Sequence, residues 1–201
     1  MKLGVVGGTF DPVHVGHIAM AEAAAGCAGL DRVLLIPSAS PPHRGPARAG
    51  AEDRLEMCRL AATGHPLLEV SGLEVARPGP SYTVDTLSNL RRRRPTDELF
   101  LILGWDAARE LQSWHRPDRV LELAGLVIVP RPGLTDPSRQ DLVRAGLNPD
   151  RVVVCSVRTP AVDATEIRER VGSGQSLDGL VDPAVADHIA ARGLYLASDG
   201  A

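Results

Sequence analysis

The sequence predicts an α/β fold, a doubly wound parallel sheet. Three observations point to it: short Val, Ile and Leu runs recur along the chain, helical stretches separate them, and prolines gather in the connections. The runs Leu3–Val6, Val33–Ile36, Leu67–Val70, Leu99–Leu103, Leu126–Val129 and Val152–Cys155 read as strands. They are nearly continuous in apolar character, as strands covered on both faces require. Between them, Val15–Cys27 is an Ala-rich helix running into Gly29, and Glu52–Thr63 spaces Leu55, Met57, Cys58 and Leu60 near helical period. Thr83–Arg93 reads as a third helix, stopped by Pro95, with Ser81 or Thr83 as its N-cap. Two further helices, Ala164–Val171 and Pro183–Ala191, close the chain. The expectation is a single domain over 1–201, with a small helical part from about 164. Pro37, Pro41, Pro42, Pro46, Pro78, Pro80, Pro130 and Pro132 mark loops within that domain.

Composition narrows the function. With 44% hydrophobic residues in 201, the chain can build a real core and is not disordered. A net charge of −3 gives no surface for a polyanion, so nucleic acid is not an expected partner. The run Arg91–Arg94 falls at a helix C-terminus, where cations suit the dipole, and reads as a solvated helix end. No leader and no stretch of membrane-spanning length is seen, so a cytoplasmic protein without a membrane partner is expected. Cys27, Cys58 and Cys155 are odd in number and far apart, and read as three buried or half-buried thiols. Lys2 is the chain's only lysine. A Walker A loop and a self-adenylating lysine are therefore both excluded.

The first turn carries the chemistry. Leu3–Val6 runs into Gly7-Gly8-Thr9-Phe10-Asp11-Pro12-Val13-His14-Val15-Gly16-His17, where a helix begins. A strand, a glycine-rich turn and a helix N-terminus form an anion-binding corner. The dinucleotide fingerprint GxGxxG is absent from it, which removes the main support for a dehydrogenase. His14 and His17, three apart, share a helix face. Spacing alone leaves open phosphate contacts, half of a zinc site, or surface histidines. No nearby Cys or carboxylate completes a zinc set, and no metal-ligating residues are assigned.

The segment Gly8 to His17 resembles the signature of nucleotidyltransferases with an HxGH motif, relatives of the class I aminoacyl-tRNA synthetase core. The resemblance implies a Rossmann-like nucleotidyltransferase fold. It also implies that His14 and His17 contact the ATP phosphates, with Gly8, Thr9 and Phe10 along the nucleotide. Downstream segments resemble the bacterial nicotinate-nucleotide adenylyltransferases. Pro41-Pro42-His43-Arg44 is similar to that family's Pro-Pro-His-Lys loop, with Arg44 in place of Lys. Pro80–Thr86 is similar to its Ser-Tyr-Thr-x-x-Thr segment, which implies that Tyr82, Thr83 and Thr86 help form the acceptor pocket. Gly104-Trp105-Asp106 resembles its Gly-x-Asp motif, placing Gly104 and Asp106 on the ATP side. Trp114 matches a tryptophan that stacks on the nicotinate ring. Val162–Arg168 resembles Ile-Ser-Ser-Thr-x-Ile-Arg, keeping Thr165, Ile167 and Arg168. Asp163 and Ala164 stand where the family has two serines, so either Asp163 turns away or phosphate affinity falls. Gly193-Leu194-Tyr195 also resembles the family's end.

The activity so implied is adenylyl transfer from ATP to nicotinate mononucleotide, giving deamido-NAD and pyrophosphate. His14, His17 and Arg168 are the expected catalytic groups, Thr165 an expected ATP contact, and Mg²⁺ the expected companion of ATP. The alternatives are a related enzyme using nicotinamide mononucleotide or phosphopantetheine, or a nucleotide-binding regulator without turnover. A homo-oligomer is left open.

Overall fold

The computed structural model describes residues 1–40, 45–130, 133, 135–157 and 159–196. The Pro41–Arg44 segment, and with it the expectation for Arg44, lies outside these residues, as does Pro132. In chain order the elements are β1 (Lys2–Gly8), α1 (Val15–Ala28), β2 (Arg32–Pro37), α2 (Ala51–Ala62), β3 (Leu68–Val70), α3 (Thr83–Arg93) and β4 (Glu98–Leu103). Then follow α4 (Trp105–Ala108), α5 (Pro117–Leu123), β5 (Gly125–Ile128), α6 (Arg139–Arg144), β6 (Val152–Val154), α7 (Ala164–Gly172) and α8 (Pro183–Arg192). The strands pair in parallel throughout, in the order β3-β2-β1-β4-β5-β6. The chain therefore reverses direction across the sheet between β1 and β4, and a crevice opens beyond their carboxyl ends, where ligands bind in such sheets.

Strand alternation divides the core in two. Val6, Val33, Leu35, Ile102 and Val127 face one side, against Ala21 and Ala24 of α1, Met57 of α2, Ile167 of α7 and Val185 of α8. Leu3, Val5, Leu34, Ile36, Leu101 and Ile128 face the other, against Val84 and Leu87 of α3 and Val120 of α5. The C-terminal helices thus share the α1 side of the core. Each strand buries both faces, which is why its sequence shows an apolar run and little alternation.

The strands expected from the sequence all form. The short α4, α5 and α6 were not anticipated; at four to seven residues they carry too few apolar positions to establish a period. Two further expectations are corrected. Cys27, in the last turn of α1, and Cys155, just after β6, form a disulfide across 128 residues of sequence, and only Cys58 is a free thiol. Cys27 is exposed, not buried. Such a pairing depends on how α1 crosses the sheet and leaves no trace in local spacing. The N-cap of α3 is Tyr82 and makes no side-chain cap, so neither Ser81 nor Thr83 fills that role. Within the arginine run, Arg91 donates to the carbonyls of Asp97 and Leu123, so part of it fixes α3 to the sheet.

Candidate active site

A cavity of about 1100 Å³ lies at the carboxyl ends of β1 and β4. Gly8, Thr9, Phe10, His14, His17, Tyr82, Thr83, Thr86, Gly104, Asp106, Trp114 and Arg168 all line it. Residues up to 160 apart in sequence are brought to one place by the reversal of strand order. Thr165 is exposed and is not part of the lining.

The first turn is held rigidly. Phe10 is buried at φ 49°, and its ring meets His17 edge-on at 4.9 Å. His17 stacks on His14 with ring centroids 3.7 Å apart. The His14 backbone N–H donates to His17 Nδ1 at 3.3 Å. The neutral His17 ring therefore carries its proton on Nε2. Gly16 between them is closely enclosed: a Cβ there would lie 3.1 Å from His14 Nδ1 and 3.2 Å from the Pro160 carbonyl oxygen, so the histidine turn or that carbonyl would have to shift.

Asp11 and Arg54 fix this turn, and no local motif marks either for that role. Asp11 Oδ1 accepts from the Ala49 N–H and the Tyr195 hydroxyl, and Oδ2 accepts from the Arg48 N–H. Tyr195, in the segment resembling the family's end, thereby ties the C-terminus to the turn. Burial beside the Asp11 carboxylate pushes the Tyr195 hydroxyl well above its ordinary range. Arg54 of α2 is 1% exposed and donates to the carbonyls of Ala49, Thr9, Ser38 and Ala39. It clamps the ends of β1 and β2 together.

Arg168 enters from α7. It donates to the Asp11 carbonyl at 2.7 Å and to the Thr165 hydroxyl at 3.1 Å. Its Nε is buried with no hydrogen-bond partner among the described residues. A guanidinium has five N–H donors, so Arg168 keeps donors for a ligand while strapped to the histidine turn. Thr165 is joined to the cavity lining through its bond to Arg168. Asp163 is the N-cap of α7, and its Oδ1 accepts from the Thr165 N–H at 2.7 Å. Its carboxylate thus engages the positive end of the helix while still lining the cavity.

The opposite wall is built from α3 and the β4–α5 connection. Tyr82 lies against His115 at 4.4 Å between ring centroids, which sets the start of α3 beside Trp114. Asp106 folds back over Gly104, where a Cβ would lie 2.6 Å from its Oδ1, so a side chain there would displace the carboxylate. Ser38, His115 and Glu74 line the same cavity and were missed by the sequence reading. No motif distinguishes them. Ser38 Oγ is buried without a hydrogen-bond partner among the described residues. Thr86 donates to Glu74 Oε1 at 2.5 Å. Burial raises the Glu74 carboxyl above its ordinary range, and the Thr86 and Ser81 hydroxyls and the Arg77 charge oppose this only in part. No group of three His, Cys, Asp or Glu among the described residues is arranged to hold a metal ion.

Comparison with known proteins shows the family and the fold. The cytidylyltransferase-like family matches residues 5–170. A probable nicotinate-nucleotide adenylyltransferase of Thermus thermophilus is 45% identical over 195 residues, covering 97% of this chain and 100% of the relative. One of Thermomicrobium roseum is 40% identical over 195 residues, covering 96% and 91%. Among solved structures, the Plasmodium falciparum nicotinic acid mononucleotide adenylyltransferase complexed with NaAD superposes with a TM-score of 0.79 over 96% of this chain and 97% of that one. At 15% identity it is similar in fold alone.

Proposed function

The chain belongs to the cytidylyltransferase-like family, among relatives named as nicotinate-nucleotide adenylyltransferases, and on that premise we propose how its cavity transfers the adenylyl group of ATP to nicotinate mononucleotide. The products are deamido-NAD and pyrophosphate, a step of NAD biosynthesis. One observation carries the assignment of roles. His14, His17 and Arg168 line one side of a single cavity, and Tyr82, Thr83 and Trp114 line it as well.

The acceptor's phosphate is already a nucleophile, so the protein needs no strong base. One of its oxygens bonds to the α-phosphorus of ATP, and the bond from that phosphorus to the pyrophosphate oxygen breaks. Catalysis is then positioning and charge stabilisation. His17, with its Nε2 proton set by the backbone bond to Nδ1, donates to a phosphoryl oxygen. His14, stacked beneath it, does the same. Arg168 meets the phosphates with the donors its straps leave over. Gly8, Thr9 and Phe10 shape the nucleotide wall, with Gly104 and Asp106 on the adenosine side. Trp114 stacks on the pyridine ring between the walls made by Tyr82 and Thr83, and Arg44 meets the acceptor phosphate. Mg²⁺ would arrive with ATP and neutralise the leaving pyrophosphate; Asp106, Glu110, Asp163 and Glu166 are among the carboxylates that line the cavity. Cytoplasmic residence, where ATP is abundant, is part of this reading.

The test is pyrophosphate release with ATP, Mg²⁺ and either nicotinate or nicotinamide mononucleotide. The nicotinate form is expected to be preferred, and His17→Ala to lower kcat/KM by about 10² to 10³. Trp114→Ala is expected to raise KM for the acceptor with little change for ATP. Turnover with neither acceptor would refute the assignment.

A further inference from the structure

Glu74 is a buried carboxyl on the turn after β3, and neither the histidine turn nor α7 touches it in any hydrogen bond found. It sits where two loops of the acceptor side meet. The loop after β2 and the entry to α3 are joined through Ser81. The Ser81 N–H donates to the Ser40 carbonyl at 2.9 Å. The Ala39 and Ser40 N–H groups donate to Ser81 Oγ at 3.1 and 3.3 Å. Two incoming bonds occupy both lone pairs of that hydroxyl, so its single proton must go to an acceptor. The Ser81 hydroxyl acts on the Glu74 carboxyl, lowering it against the rise that burial causes. Thr86, one turn into α3, gives Glu74 its proton at 2.5 Å, in preference to the Tyr82 carbonyl at 3.4 Å. One buried carboxyl therefore holds the first turn of α3 through Thr86 and acts on the Ser81 hydroxyl that precedes it.

We propose that Glu74 is a positioning residue for the acceptor mononucleotide: it fixes Ser81 and the first turn of α3 against the loop after β2, and so sets the wall on which the acceptor rests. This rests on the functional reading above. The ATP side is held separately, because Arg54 clamps Thr9 to Ser38 and Ala39 whether or not Glu74 is present. Losing Glu74 frees Thr86 and removes the carboxyl beside Ser81, with no change at His14, His17 or Arg168.

The experiment is steady-state kinetics on the full chain, varying each substrate in turn. The wild type is measured first. Glu74→Ala is expected to raise KM for nicotinate mononucleotide roughly tenfold to a hundredfold, with KM for ATP unchanged within about twofold. Glu74→Gln, whose amide oxygen still accepts a hydroxyl proton, is expected to fall between. Ser81→Ala added to Glu74→Ala is expected to cost little more than either alone, because the two act as one unit. Thermal melts identify a variant that has not folded, and Glu74→Gln with Ser81→Ala then carries the comparison. An unchanged acceptor KM, a parallel rise in KM for ATP, or full additivity would each overturn the assignment. A wild type that does not use nicotinate mononucleotide would refute the functional reading, and this assignment with it.

Discussion

Tyr195 and Glu74 show how single buried groups tune the site. The Tyr195 hydroxyl is one of three donors to the Asp11 carboxylate, so Tyr195→Phe removes one bond and leaves Asp11 held by Arg48 and Ala49. Stability should fall by about 2 kcal/mol. Urea unfolding of the two proteins measures this, and an unchanged midpoint would mean that the bond contributes nothing net. Glu74 makes a pH-dependent contribution. Its folded value is raised by burial from an ordinary 4.5, against the hydroxyls of Thr86 and Ser81 and the charge of Arg77, and with the charge of Asp85. The folded state therefore holds this proton more tightly than the unfolded chain does. The associated stability is fully present below about 4.5 and is lost as pH rises through the raised folded value. Glu74→Gln does not titrate. The wild-type stability minus that of Glu74→Gln should decline as pH rises above 4.5, and a flat difference would show that the shift is absent.

The elements that carry the site are joined by side chains reaching across them. From within α2, Arg54 bonds to four backbone carbonyls at the ends of β1, β2 and the loop leading to α2. Arg54→Ala would leave those buried acceptors unpaired and should cost about 3 kcal/mol or more. Because one Arg54 nitrogen holds the Thr9 and Ser38 carbonyls together, KM for both substrates should rise together, unlike the effect of Glu74. At α7, Asp163→Ser keeps a cap for the Thr165 N–H and removes a negative charge from the cavity wall. KM for ATP should fall by about threefold, while the melting temperature barely moves. A rise in KM would show that the carboxylate contributes to the nucleotide site.

For the molecule as a whole, the Cys27–Cys155 bond closes a loop of 128 residues that spans β2 to β6. In the chain-entropy account, such a loop contributes about 4–5 kcal/mol. A thiol count in denaturant should find one reactive group per chain, Cys58, and three after reduction. In the native state Cys58 should stay unreactive, because burial pushes its thiol up to about 12 despite the Arg54 charge. Three thiols without reduction would show that the bond does not form in solution. No helix among the described residues is long and apolar enough to cross a membrane.

The sequence by itself determined the parallel sheet, its six strands and the anion-binding corner, because these rest on local signals: apolar runs, helical spacing and glycines at a strand-to-helix turn. That His14, His17, Tyr82, Thr83 and Trp114 belong together was legible because they fall within recognisable segments, and the structure gathers them on the lining of one cavity. Only the tertiary structure decided the rest. The strand order that gathers distant residues into one cavity, the Asp11–Tyr195 and Arg54 ties, the Cys27–Cys155 bond and the Glu74 carboxyl at the acceptor wall all join residues remote in the chain. A hydrogen bond or a disulfide depends on distance in space, and once the chain has folded across its sheet, distance in sequence no longer predicts it.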